Sequence, residues 1–175
     1  MNVKSENIAE TDVLIVEEYY FTGALRSRHH SRAGDPHRED GPAVEKFYAD
    51  GALESREWYI DGQLHREDGP AYEEFYIDGA CRVRSWSIDN ELHREDGPAV
   101  EWFYNDGTLM SYRWHYNGKP HRVEGFAEEQ FSITGGRTKA TYFLDGDELS
   151  EEEHRRRVTL RKLLLKNKSD CDVSL

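Results

Sequence analysis

The sequence is short of most features that mark a conventional globular enzyme. It has only two cysteines in 175 residues. That excludes the disulfide framework of small secreted domains, so both thiols are expected to be free and reduced inside a cell. No apolar run approaches the roughly 20 residues a membrane-spanning helix needs, and residues 1–10 carry no apolar leader core. Hydrophobic residues make up 37% of the chain and charged residues 33%, a thin supply for a two-layer core. Recognisable catalytic motifs are missing too: there is no Gly-x-Ser-x-Gly elbow, no phosphate loop, no dinucleotide fingerprint and no Cys–His motif. The chain therefore reads as non-enzymatic, with no catalytic, cofactor-binding or metal site.

Positive charge is also in deficit, with 23 Lys and Arg against 35 Asp and Glu for a formal net charge of -12. From Leu149 to Leu175 the balance is 7 basic to 5 acidic residues, which leaves 16 against 30 in the rest. An acidic body thus carries a mildly basic tail. Its field repels phosphate backbones and anionic lipid heads, which weighs against nucleic acid and membrane as partners.

What the chain has in plenty is aromatic side chains, with 10 Tyr, 7 Phe and 4 Trp, set in a repeat. The heptad His37-Arg38-Glu39-Asp40-Gly41-Pro42-Ala43 recurs at His65–Ala71 and His93–Ala99, and a weaker copy occupies His121–Ala127. Each copy starts 28 residues after the last. In that register Tyr19, Phe47, Phe75, Phe103 and Phe131 share a column. So do Glu17, Glu45, Glu73, Glu101 and Glu129, and so do His30, Trp58, Trp86, Trp114 and Tyr142. The predicted organisation is an extension over 1–8, five repeats over 9–148 with degenerate outer units as caps, an amphipathic helix within 149–167 and a flexible tail over 168–175.

Within a unit, Asp50-Gly51 and Asp61-Gly62 punctuate short stretches of strand formers, and both read as two-residue hairpin turns. Each unit is then strand, turn, strand, turn, short strand and loop. The fold class expected is mainly β: an elongated, curled, single-layer antiparallel meander with one C-terminal helix. Alternation puts Ala43, Glu45 and Phe47 on one face and Val44, Lys46 and Tyr48 on the other. Phe47, Phe75 and Phe103 with Trp58, Trp86 and Trp114 are expected to stack as a continuous aromatic ridge. Ser150-Glu151-Glu152-Glu153 forms a capping box, and Leu160, Leu163 and Leu164 are expected to dock the helix on the sheet end.

Two clusters invite chemistry. His37, His65 and His93, each followed by carboxylates, suggest a metal loop, but no further His or Cys completes a ligand set. The simpler reading has Asp40 setting the turn while His37 and Arg38 pair with acidic neighbours. The row Glu45, Glu73 and Glu101 suggests a recognition stripe, although Arg56-type residues would turn it into an alternating charge ladder. Arg155, Arg156 and Arg157 on the helix form a second candidate surface.

The heptads, with Tyr-x-Asp-Gly and Trp-Tyr-x-Asp-Gly between them, resemble MORN-like repeat proteins, in the variant abundant in giant DNA viruses of the marseillevirus kind and in large phages. The likeness spans roughly residues 9–165 and includes the ending Leu144-Asp145-Gly146 with Leu149-Ser150-Glu151. The resemblance implies an intracellular setting, in the cytoplasm of a producing or infected cell or in a virion, and not a secreted one. The expected function is a protein–protein interaction module. The alternatives are an acidic inhibitor of a host nucleic-acid-binding or defence protein, or a virion component that self-associates through sheet edges or the helix. No cofactor is implied.

Overall fold

The computed structural model describes residues 2–8 and 13–172, with side chains at 2–5 and 13–166. Its fold is mainly β, an antiparallel meander in which neighbours along the chain are neighbours in space. The path runs from the edge strand Asn2–Ile8 to Asp147–Leu149 without closing on itself, and a single helix, Glu151–Asp172, follows. Within the predicted extension, Asn2–Ile8 thus supplies an edge strand, paired with Val13–Tyr19.

A central unit shows how the sequence builds one repeat. Val44–Phe47 and Leu53–Glu57 form a long hairpin, and Tyr59–Ile60 with Gln63–Leu64 form a small one beside the main sheet. The strand breaks at Trp58, and equally at Trp86 and Trp114. In the outer units, where this column holds His30 and Tyr142, the strands Leu25–Arg32 and Arg137–Leu144 run through unbroken.

The two turns of a unit differ, which corrects the expectation that both are two-residue hairpins. At the first, only Gly51 has positive φ (90°), and Tyr48 N donates to Ala52 O at 2.8 Å. That is a three-residue loop ending in a left-handed glycine; further along the hairpin a bulge leaves Glu54 unpaired opposite the step from Lys46 to Phe47. At the second, Asp61 (47°) and Gly62 (77°) both have positive φ, as a tight two-residue turn requires.

Ala43, Ala71, Ala99 and Ala127, which end the heptads, are fully enclosed. The next most enclosed side chains include Val44, Ser55, Ser85 and Val100, which register places on the face opposite Glu45. The sequence assigned Tyr and charged residues to that face; its packed centre is small. Neighbouring units are tied by tyrosines, since the hydroxyls of Tyr48, Tyr76 and Tyr104 donate to Phe75 O, Phe103 O and Phe131 O at 2.8–3.0 Å.

The helix is five residues longer than the 167 boundary predicts, ending at Asp172, so 168–172 are helical; residues 173–175 lie outside the described part. Its docking also differs. Leu160, Leu163 and Leu164 are exposed, at 50%, 54% and 68%, and do not seat it. The contact is made by the first turns. His154 is buried, its Nε2 lies 3.0 Å from Arg122 O, and its ring lies 4.7 Å from that of Tyr142. Arg161 and Lys162 then reach Asp145 and Glu124 at 3.0 Å each. A polar, aromatic and ionic seat near the N-terminus replaces the leucine seam.

Candidate functional site: the ladder face and the loop row

On the Glu45 face, strand register lines up one residue from each strand in a continuous row. Lys4 opposes Glu17, Glu17 opposes Arg28, and the series continues through Glu45, Arg56, Glu73, Arg84 and Glu101. Charge alternates at every step, so each carboxylate has a cation opposite it. Arg56 Nε is 2.6 Å from Glu73, and Arg84 Nε is 2.5 Å from Glu101. The Glu side chains are well shielded, at 20% exposure for Glu45, 13% for Glu73 and 14% for Glu101. The Glu column is thus a structural ladder. In the fourth unit Tyr112 stands where arginine would be and hydrogen-bonds Glu129.

The aromatic ridge is corrected by the same arginines. Among the described residues no ring pair joins a Trp to a Trp or to a Phe of the columns. Instead each Trp lies beside guanidinium groups: Trp58 has Arg56 at 5.2 Å and Arg66 at 4.1 Å, and Trp86 has Arg84 at 5.5 Å and Arg94 at 3.9 Å. Phe75 and Phe103 lie 5.7 and 5.1 Å from the same guanidinium groups of Arg56 and Arg84. Strands carrying a cation between successive rings give alternating cation–π contacts where ring-on-ring stacking was expected.

The heptad resolves residue by residue. The His37 ring accepts from Asp61 N through Nδ1 at 3.0 Å, and His65, His93 and His121 accept likewise from Asp89 N, Asn117 N and Asp145 N at 3.4, 3.3 and 3.1 Å. The histidine therefore clasps the tight turn 24 residues on. Arg66 folds back over its own loop, donating to Asp68 at 2.7 Å and Pro70 O at 3.3 Å while lying on Trp58. Glycine lies beneath it: a Cβ at Gly69 would come within 2.9 Å of Arg66 Cζ and displace the guanidinium from this position. The reading of His37 and Arg38 as partners of nearby acids is therefore what the geometry displays. Among the described residues no three His, Cys, Asp or Glu side chains converge as metal ligands.

Asp40, Asp68 and Asp96 are each held below the usual carboxylate range by the hydrogen bond and charge of Arg38, Arg66 and Arg94. Their folded pKa is depressed, so the stability they contribute is complete above the unfolded value near 4 and is lost as pH falls through the folded one. Urea midpoints should therefore decline as pH drops below about 4. The triple substitution Asp40→Asn, Asp68→Asn and Asp96→Asn should flatten that decline; an unchanged pH profile would remove these pairs from the account.

One heptad position has little role in the fold. Glu39, Glu67 and Glu95 are 77%, 86% and 76% exposed; each lies beside the histidine two residues before it, at 3.5, 3.9 and 4.0 Å, and Glu39 also lies 3.7 Å from Arg32. They rim a series of equivalent clefts between successive loops. One, of about 480 Å³, has Trp58 and Ile60 on its wall; the next, about 650 Å³, has Trp86 and Ile88; the third, about 400 Å³, has Trp114, His115 and Tyr116. The third departs from the pattern. Val123 stands where the others have Glu, and Trp114 Nε1 and His115 Nδ1 are buried without a partner. Burial and the nearby charge of Arg113 hold His115 below the ordinary histidine range.

Arg155 and Arg157 pair with Glu151 and Glu153 of their own helix at 2.7 and 3.0 Å, and Arg157 also reaches Asp147 at 2.7 Å. Arg156 lies 3.6 Å from Glu153. This candidate surface is largely neutralised within the molecule. Sequence reasoning missed the loop clefts and the Tyr48-type ties, although the tyrosine column repeats with the same 28-residue period. No helix is long and apolar enough to cross a membrane among the described residues. The chain matches neither a protein-family model nor a curated protein.

Proposed function

We propose that this protein is a non-enzymatic interaction module that presents its row of acidic loops to a basic protein partner. The observation that carries the reading is the division of labour within the heptad. His, Arg, Asp, Gly, Pro and Ala each serve the fold, while Glu39, Glu67 and Glu95 project into solvent at one point per unit. Extended repeat surfaces suit such multi-point contact. The net charge of -12 favours encounter with basic proteins and opposes nucleic acid and anionic membranes. The resemblance to repeat proteins of giant DNA viruses supports an intracellular setting, in the infected cell or the virion.

Mimicry of nucleic acid, the inhibitor reading, needs a denser array. Duplex DNA carries one charge per about 1.7 Å of axis. Each unit here adds two main-sheet strands, about 9.5 Å, and one exposed loop carboxylate of the Glu39 type. The loop row therefore favours a partner with spaced cations. Immobilised full-length protein should retain basic proteins from infected-cell extract at low salt. The substitution Glu39→Gln, Glu67→Gln, Glu95→Gln should weaken that retention about tenfold. Retention indifferent to both salt and the triple substitution would overturn the reading.

A further inference from the structure

The loop clefts share a spacing as well as a chemistry. Each unit inserts two strands into the main sheet between one cleft and the next, so the clefts repeat about every 9.5 Å at strand level. A ligand that fills them in series must present like side chains at that interval. An extended β-strand presents one face every second residue, about 6.7 Å, which falls out of step at once. An α-helix returns to the same face after seven residues, about 10.5 Å, and gains an ångström per unit. A polyproline II helix has three residues per turn and a rise of about 3.1 Å, so every third residue recurs at about 9.3 Å. That interval matches.

We propose that the loop row is a binding groove for an extended peptide in the polyproline II conformation carrying a basic side chain at every third position. The proposal rests on the interaction-module reading and names the ligand for it. Each basic side chain enters between two loops, beside Ile60 or Ile88, toward Glu39, Glu67 and Glu95. The heptad arginines also line these clefts, but each has its charge offset by its own aspartate, which leaves the glutamate as the loop's net charge. The third cleft holds the independent sign of a ligand. His115 is 8% exposed, and its Nδ1 and Trp114 Nε1 have no partner in the free protein. An unmet buried donor of this kind is costly. A polyproline II backbone has carbonyls free of internal hydrogen bonds, which is the acceptor such a donor lacks.

The test uses the full chain and two labelled peptides of identical composition. In one, four lysines stand at every third position with prolines between; in the other, the lysines are placed together at one end. Binding is followed by fluorescence anisotropy at about 0.05 and 0.15 M salt. The periodic peptide is expected to bind about tenfold more tightly than its isomer. The Glu39→Gln, Glu67→Gln, Glu95→Gln protein is expected to lose that preference while keeping its circular dichroism spectrum, since these side chains are exposed. In the periodic complex, the Trp114 indole N–H resonance should shift in an NMR spectrum. Equal binding of the two peptides with the Glu row still required would overturn the proposal and leave the basic-partner module standing. Glu-independent binding, or none, would overturn both.

Discussion

Replacing Ala71 with leucine is expected to destabilise the protein by about 3 kcal/mol, at the upper end of what overpacking costs. Ala71 has no exposed surface, and its carbonyl accepts the Trp58 amide at 2.8 Å. A larger side chain must therefore push apart two neighbouring units at a point where their backbones are bonded. For a chain of this size that corresponds to a fall in melting temperature of about 6–12 °C. Because the array is tied mainly between neighbours, damage in a central unit should also separate the unfolding of the two halves. Thermal melts followed by tryptophan fluorescence, with Trp58 on one side and Trp114 on the other, should broaden or split. Ala49→Leu, on an exposed turn, is the control. A shift for Ala71→Leu no greater than for Ala49→Leu would refute enclosure as the reason for the alanine column.

Glu73→Lys should cost about 2–3 kcal/mol, read as a shift in the urea midpoint at constant slope. Glu73 is 13% exposed and opposes Arg56 on one side and Arg84 on the other. Lysine there places three cations in a row in the most shielded part of the ladder. It also releases Arg56 from the carboxylate that holds it between Trp58 and Phe75. The arginines are partly solvated, at 38% and 42%, which keeps the penalty below that of a fully buried charge. Adding Arg56→Glu should recover about 1 kcal/mol, incompletely because Glu45 then faces a like charge. Full tolerance of the single substitution would show that the ladder is a consequence of the register and not a support for it.

The backbone plan was legible because the repeat wrote it three times. Three near-identical heptads fixed the period, Asp-Gly and Asn-Gly marked the reversals, and Arg56-type residues suggested the charge ladder, whose pairing of Glu45 with Arg56 the strand register supplies. What was not legible lies between units. Tyr48 and Phe75 are 27 residues apart, and only the sheet's offset brings the hydroxyl to that carbonyl. The aromatic columns suggested rings on rings because equal residues at equal spacing look like neighbours. The intervening strand, carrying Arg56 or Arg84, separates them. Likewise the two Asp-Gly pairs look alike in sequence, yet the left-handed Asp61 needs the His37 ring to meet its amide, and Asp50 has no such partner. The helix misled for a different reason. Its leucines resemble a docking stripe, but the sheet end offers charges and the rings of Phe126 and Tyr142, which His154 meets better. The clefts were invisible because they are spaces between loops, and composition does not report the gap between two copies of itself.

The histidine clasp also sets the increment in which this chain can be made. His37, His65, His93 and His121 each wait for a residue 24 positions downstream. A ribosome adding about 5–20 residues per second delivers that residue within seconds, whereas a hairpin closes in about 1–10 μs. Every unit therefore has time to lock before the following one is complete, and each finished unit offers the incoming strand a paired edge. One repeat is thus the expected step of co-translational folding.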